Sequence, residues 1–250
     1  MDDEFSERAF PTRAVWSGTN HLEGSAVTPI FTTSTYQLND DRYRDWADGG
    51  QHSLIYSRWS SVNSEAVASK VASLEGAEDG ETLASGMAAI SSTLLSMLSK
   101  GDHMVTSPDI YGGTYGLLTS DFPRFGIDVT MADIRDPSSF EAAINENTKV
   151  LYVETITNPV LKVCDLEAMA SIAKEHGLIS VVDNTFATPW ACQPISMGFD
   201  VVIHSGTKFL NGHTDLTAGI VVGRSDLIKG VFLSLIHISE PTRLGMISYA

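Results

Sequence analysis

A chain of 250 residues, 43% hydrophobic and 19% charged, is long enough for one large α/β domain or one plus part of another, and its composition excludes a disordered protein. Thirty-one acidic against sixteen basic residues leave a net charge of −15, which repels nucleic-acid backbones and anionic membrane surfaces, so neither is expected as a partner. The two cysteines, Cys164 and Cys192, have no CxxC spacing and no histidine at ligand spacing; they read as small core residues in a reducing environment, with no disulfide and no metal site.

The acidic opening Met1-Asp2-Asp3-Glu4 is followed by no apolar h-region, and no apolar run approaches the ~18 residues of a membrane helix. A cytoplasmic protein is the expectation. Residues 1–62 have weak periodicity and read as an extended arm, with Asn39 to Asp45 too charged to be core. From Asn63 the pattern changes. Val67, Val71 and Leu74 recur at helical spacing, with Ser60, Ser61 or Asn63 available as cap and Gly76 as stop. Residues 63–232 read as the globular domain. Strands are expected near 82–84, 103–105, 127–129, 150–153, 179–182, 201–203 and 218–222, with helices through 88–98, 140–144 and 166–176. Strict alternation of strand and helix implies a three-layer α/β/α sandwich on a mainly parallel sheet of about seven strands.

Several strand ends carry residues that suggest chemistry. Ser85-Gly86-Met87 opens a helix and reads either as an ordinary turn or as an anion cradle of unobstructed N–H groups. Tyr111-Gly112-Gly113 puts a tyrosine on a glycine-rich turn, where its ring can pack under a loop or lie flat against another ring. Asn158-Pro159 is a turn by default, or an amide reaching a ligand hydroxyl. Asp183 ends one β-branched run, and Ser205, Thr207 and Lys208 end another. An amine for a Schiff base, a carboxylate for a pyridine nitrogen and hydroxyls for a phosphate are what pyridoxal 5′-phosphate (PLP) asks of a protein. Taken singly, Lys208 reads as a solvated lysine and Asp183 as a helix cap.

The order Tyr56-x-Arg58, Ser85-Gly86-Met87, Tyr111-Gly112-Gly113, Asn158-Pro159, Val182-Asp183-Asn184-Thr185, Ser205-Gly206-Thr207-Lys208 resembles the Cys/Met-metabolism family of PLP enzymes. That family includes cystathionine γ-synthase, cystathionine γ-lyase, cystathionine β-lyase, methionine γ-lyase and the homoserine sulfhydrylases. The likeness covers roughly Pro11 to Gly230 and is most specific from Asp183 to Gly219. It implies the fold-type I large domain and catalytic roles for Lys208, Asp183 and Tyr111. Lys208 would bond the cofactor and shuttle protons, Asp183 would hold the ring nitrogen protonated, and Tyr111 would stack on the ring. Asn158 would reach the phenolic oxygen, and Gly86, Met87, Ser205 and Thr207 would hold the phosphate. Tyr56 and Arg58 would reach the phosphate of a neighbouring subunit, which implies a homodimer, usually within a homotetramer. The implied substrates are sulfur-containing or O-acylated homoserine-type amino acids.

Two departures from the family pattern bear on these expectations. Gly113 stands where methionine γ-lyases typically carry a cysteine, which favours the cystathionine γ-synthase and γ-lyase branch. Residues 233–250, with Ser234-Leu235-Ile236-His237-Ile238-Ser239-Glu240-Pro241-Thr242-Arg243, match nothing in the family and look like translated cloning or adaptor sequence. The family's C-terminal small domain, with the arginine that binds the substrate α-carboxylate, has no counterpart here, so a catalytically silent cofactor-binding fragment is the alternative expectation.

Overall fold

The computed structural model describes residues 7–19, 22–48 and 53–234; the acidic opening and the tail beyond Ser234 lie outside them. Seven strands form one sheet in the order β1-β7-β6-β5-β4-β2-β3. They are β1 (Asp79–Leu83), β2 (His103–Thr106), β3 (Asp128–Met131), β4 (Thr148–Glu154), β5 (Ile179–Asp183), β6 (Val201–Ser205) and β7 (Gly219–Gly223). From β6 to β3 every pairing is parallel. β7 runs antiparallel to both of its neighbours.

The central strands are rich in valine and isoleucine because helices cover both faces. On one face α3 (Val62–Glu75), α7 (Pro137–Ala143) and α8 (Leu166–Glu175) press Val71, Phe140 and Met169 onto Leu151, Val153, Val182 and Val202. On the other, α4 (Gly86–Met97) and α10 (Ser225–Ser234) press Ile90, Leu94 and Ile228 onto Val150, Tyr152, Val181 and Ile203. Alternate residues of one strand thus enter opposite layers, and burying each such side chain contributes about 1.5–3 kcal/mol.

The expected sandwich of seven strands is present, with three corrections. Alternation is not strict, because β6 runs to β7 through turns with no intervening helix, and β7 reverses direction. The first strand starts three residues earlier than expected; as an edge strand of sequence Asp-Gly-Glu-Thr-Leu it is held by pairing with β7 rather than by an apolar run. The arm is only partly extended. It contains α1 (Phe10–Trp16), with Pro11 in its first turn, and α2 (Asp40–Ala47), where the Asn39 side chain accepts from Arg42 N–H at 2.9 Å. α1 docks on α3 through polar contacts: Lys70 Nζ donates to the carbonyls of Ala14 and Val15, and Arg13 donates to the carbonyl of Ser73.

A further helical stretch was hidden by glycines. It runs through α5 (Gly112–Gly116), a π-helical turn Leu117–Asp121 and α6 (Phe122–Phe125), with Thr114, Leu118 and Phe122 almost fully buried at four-residue spacing. The tertiary contacts of those three side chains outweigh the entropic cost of three glycines in a helix. A single turn, α9 (Thr188–Ala191), lies between β5 and β6, and α10 extends through Ser234, into the segment read as a non-family tail.

Candidate active site

The carboxyl ends of parallel strands are where α/β sheets bind ligands, and here β4, β5 and β6 end in Glu154, Asp183 and Ser205. These ends and the start of α4 enclose a pocket of about 320 Å³ lined by Gly86, Met87, Tyr111, Asn158, Asp183, Ser205, Thr207 and Lys208, together with Glu154, Thr185, Phe186 and Thr217. Eight of the ten residues expected to contact a cofactor therefore converge on one cavity.

One end of the pocket is an anion-binding surface. Ser85 caps α4 by accepting from Ala88 N–H at 3.1 Å, and Ala89 N–H makes the first intrahelical bond to Ser85 O. This leaves the N–H groups of Gly86 and Met87 as the unpaired donors of the helix start. A Cβ added to Gly86 would come within 2.8 Å of Ser205 Oγ, so only glycine lets this turn lie against the end of β6. The helix dipole adds partial positive charge at the same place.

At the floor lies Asp183. Its Oδ1 accepts from Thr185 N–H at 2.9 Å, and the Thr185 hydroxyl, which also hydrogen-bonds the carboxylate, accepts from Ser205 N–H at 2.8 Å. Burial raises the Asp183 pKa above the usual carboxylate range, and the Thr185 bonds and the charge of His204 only partly offset this. No lysine or arginine among the described residues forms a salt bridge to it. An under-compensated carboxylate on a pocket floor suits a ligand with a protonated nitrogen.

Tyr111 forms a wall and remains 45% exposed, which leaves its ring accessible. A Cβ at Gly113 would approach Tyr111 Cε1 to 2.6 Å and Met87 Sδ to 3.0 Å, so the bare glycine lets the ring lie down over position 113. Lys208 sits on the turn after β6, where its N–H bonds Ser205 O at 3.1 Å, while the Thr207 hydroxyl accepts from Ala218 N–H at 2.9 Å. Lys208 also borders a second cleft of about 790 Å³, lined by Phe186, Phe209, His213 and Leu216. The amine thus stands where an inner pocket meets an outer vestibule.

Tyr56 and Arg58 are not brought to this pocket. The Arg58 guanidinium lies 4.8 Å from the Tyr56 ring centroid, and Arg58 lines a separate small cleft with Glu65 and Glu81.

Two features were missed by the sequence reading. Glu154 is 4% exposed and uses both oxygens, accepting from Tyr111 N–H at 2.7 Å and Asn158 N–H at 3.1 Å. Burial and the charge of Asp183, its registered neighbour on β5, push its pKa up to about 8. A glutamate closing the apolar run Val150-Leu151-Tyr152-Val153 was the available signal. Beneath the pocket, His204 Nε2 meets Glu75 Oε1 at 2.8 Å, and Asn184 Nδ2 donates to the same oxygen at 2.9 Å, tying the end of α3 to β5 and β6. Nothing in the spacing of 75, 184 and 204 announces that contact.

A phosphate-sized anion site, a carboxylate for a cationic ring nitrogen, an exposed tyrosine ring and an amine line one cavity, so the donor set fits a small phosphorylated aromatic aldehyde. The family described as Cys/Met metabolism PLP-dependent enzyme matches residues 11–236. L-methionine γ-lyase of Porphyromonas gingivalis is 41% identical over 248 residues, 98% of this chain and 61% of that protein. Cystathionine γ-lyase of Bacillus subtilis is 42% identical over 203 residues, 81% of this chain and 51% of that protein. A Campylobacter jejuni structure designated O-acetylhomoserine (thiol)-lyase, solved with N′-pyridoxyl-lysine-5′-monophosphate, superposes with a TM-score of 0.82 at 35% identity, covering 87% of this chain and 54% of that one. The chain spans about half to three-fifths of the length of these relatives.

Proposed function

This chain belongs to the Cys/Met-metabolism family of PLP-dependent enzymes, and from that premise we propose that its pocket binds pyridoxal 5′-phosphate and serves elimination or replacement at the γ- or β-carbon of a sulfur-containing or O-acylated homoserine-type amino acid. The observation that carries this reading is the convergence of Lys208, Asp183 and the Gly86-Met87 helix start on one cavity. Bound there, the cofactor would supply an electron sink for charge developing at the substrate α-carbon.

The residues divide the work. The Gly86 and Met87 N–H groups and the hydroxyls of Ser205 and Thr207 would hold the phosphate. Asp183 would keep a proton on the ring nitrogen, and that opposite charge would in turn keep Asp183 ionised, against the effect of burial. Tyr111 would offer its ring, and Asn158 its amide, to the aromatic ring of the cofactor. Lys208 Nζ would supply the point of covalent attachment and a general base for the substrate α-proton. Phe186, Phe209 and Leu216 give the vestibule an apolar wall suited to a thioether side chain. Gly113 favours the cystathionine γ-synthase or γ-lyase reaction, with methionine γ-lyase, cystathionine β-lyase and O-acylhomoserine sulfhydrylase as the alternatives.

Tyr56 and Arg58 lie off the pocket of their own chain, which supports a role at the phosphate of a neighbouring subunit in a homodimer within a homotetramer. The arginine fork suits that anion. Among the described residues no helix is long and apolar enough to cross a membrane. Together with two unpaired cysteines this supports a cytoplasmic location.

Lys208→Ala tests the assignment. Borohydride should fix PLP to the parent chain and fail to fix it to the variant; equal fixation in both would put the attachment on another lysine. Incubating the parent with cystathionine, O-succinylhomoserine or methionine and measuring 2-oxo acid then separates an active enzyme from a chain that only binds the cofactor.

A further inference from the structure

We propose that Glu154 is a positioning residue of the pocket: its two carboxylate oxygens hold the main chains of Tyr111 and Asn158 at one fixed separation, so that a single buried side chain sets the spacing between the aromatic wall and the amide. The inference rests on the cofactor reading above, because the ligand whose fit depends on that spacing is PLP. It adds a residue whose carboxylate oxygens are both spent on main-chain N–H groups and that acts through the two residues it holds.

The geometry is specific. Tyr111 follows β2 and Asn158 follows β4, 47 positions later in the chain. The Glu154 side chain spans them, with Oε1 on Tyr111 N–H at 2.7 Å and Oε2 on Asn158 N–H at 3.1 Å. A side-chain ion pair between Asp109 and Lys162 ties the outer parts of the same two loops, so Glu154 is the inner of two fasteners. It is also the one set against the pocket, since Glu154 lies in register with Asp183. The ring wall, the amide and the carboxylate on the floor are therefore all referenced to the end of β4.

Few side chains can do this. Both N–H groups are donors, so the bridge needs two acceptors on one rigid group. Glutamine offers one acceptor and turns an NH₂ toward the other N–H. Aspartate keeps both acceptors but is shorter by one methylene, about 1.5 Å of reach on C–C bond dimensions. A glutamate serving only to satisfy two buried donors would make the same bonds, so the test must read the pocket and not only the fold.

Glu154→Gln turns an NH₂ toward a buried N–H and leaves that donor unsatisfied, so PLP binding by the apo chain should weaken roughly fivefold to hundredfold, the range for an unsatisfied buried donor. In a Tyr111→Ala, Asn158→Ala background the same substitution should change PLP affinity less than about twofold, because the positioned groups are gone. Undiminished PLP affinity in Glu154→Gln, or an equal loss in both backgrounds, would overturn the proposal. Should Glu154→Gln not fold, amide exchange in the parent apo chain decides: Tyr111 and Asn158 N–H should be protected, and fast exchange at either sinks the bridge. A parent chain that takes up no PLP would instead defeat the cofactor reading, leaving the amide-exchange result to judge Glu154 separately.

Discussion

At the amino end of β6, Asp200 accepts from the N–H and the hydroxyl of Ser180, each at 2.9 Å, and pairs with Arg224 at 3.0 Å. Asp183, at the carboxyl end of the adjacent strand β5, is met by Thr185 and, among the described residues, by no lysine or arginine, and burial raises its pKa against the Thr185 bonds and the charge of His204. The same functional group is thus saturated within the chain at one end of the sheet and left under-compensated at the other. Buried charge without a partner costs free energy, so its persistence at Asp183 marks where a ligand is to complete the structure. The amino end is built for folding and the carboxyl end for binding.

The largest expected effect breaks that contrast at the binding end. Asp183→Asn removes the carboxylate proposed to hold the cofactor's ring nitrogen. PLP affinity should fall roughly tenfold to hundredfold, the range for a charge-assisted hydrogen bond. The apo chain should unfold at the same temperature as the parent or higher, because an unfavourably buried charge is gone. Titrating both apo chains with PLP and melting them checks this; lowered apo stability with normal PLP binding would make Asp183 a structural residue. Asp200→Asn is the converse. It should leave PLP affinity unchanged and cost roughly 1 kcal/mol of stability, or about 2–4 °C of melting temperature, since Arg224 is half exposed and its pair correspondingly weak. A change in PLP affinity in Asp200→Asn would dissolve the distinction between the two ends.

Much of this contrast could be read before the fold was known. Asp183, Ser205, Thr207 and Lys208 each close a β-branched run, and a run of that kind ending in polar residues delivers them to one rim once the strands are parallel. Strand direction was less legible. Val221 and Val222 read as buried strand whichever way they run, and only the tight turns between β6 and β7, with a Cβ at Gly219 within 2.1 Å of Ser85 O, fix the antiparallel return. Glu154 was passed over because its function depends on where Tyr111 N–H arrives, a fact of tertiary structure. The same holds for His204 and Glu75, which lie 129 positions apart. Tyr56 and Arg58 were expected, from the resemblance, at the phosphate of a neighbouring subunit, and they lie off the pocket of their own chain.

The smallest expected effect sharpens the comparison through pH. His103, the first residue of β2, lies 4% exposed with Nδ1 2.8 Å from the Thr148 hydroxyl and Nε2 2.8 Å from the Thr130 hydroxyl. Burial lowers its pKa, and Asp128 offsets this only in part. The native state therefore resists a proton that the unfolded chain accepts near pH 6.5, so this contribution to stability is present above that value and is lost as pH falls below it. Glu154 and Asp183 act with opposite sign. Their native pKa values are raised, Glu154 to about 8, so the native chain keeps protons that the unfolded chain releases near pH 4, and their contribution is full below that and lost as pH rises. Between about pH 4 and 6.5 the two ends oppose one another. His103→Gln should remove the amino-end term alone: the melting temperature of the apo variant should go on rising with acidification where the parent levels off, by about 2–4 °C for each kcal/mol. Parallel curves for parent and variant across that interval would show that His103 titrates alike in both states, and that the pH dependence of this fold is set at the carboxyl end.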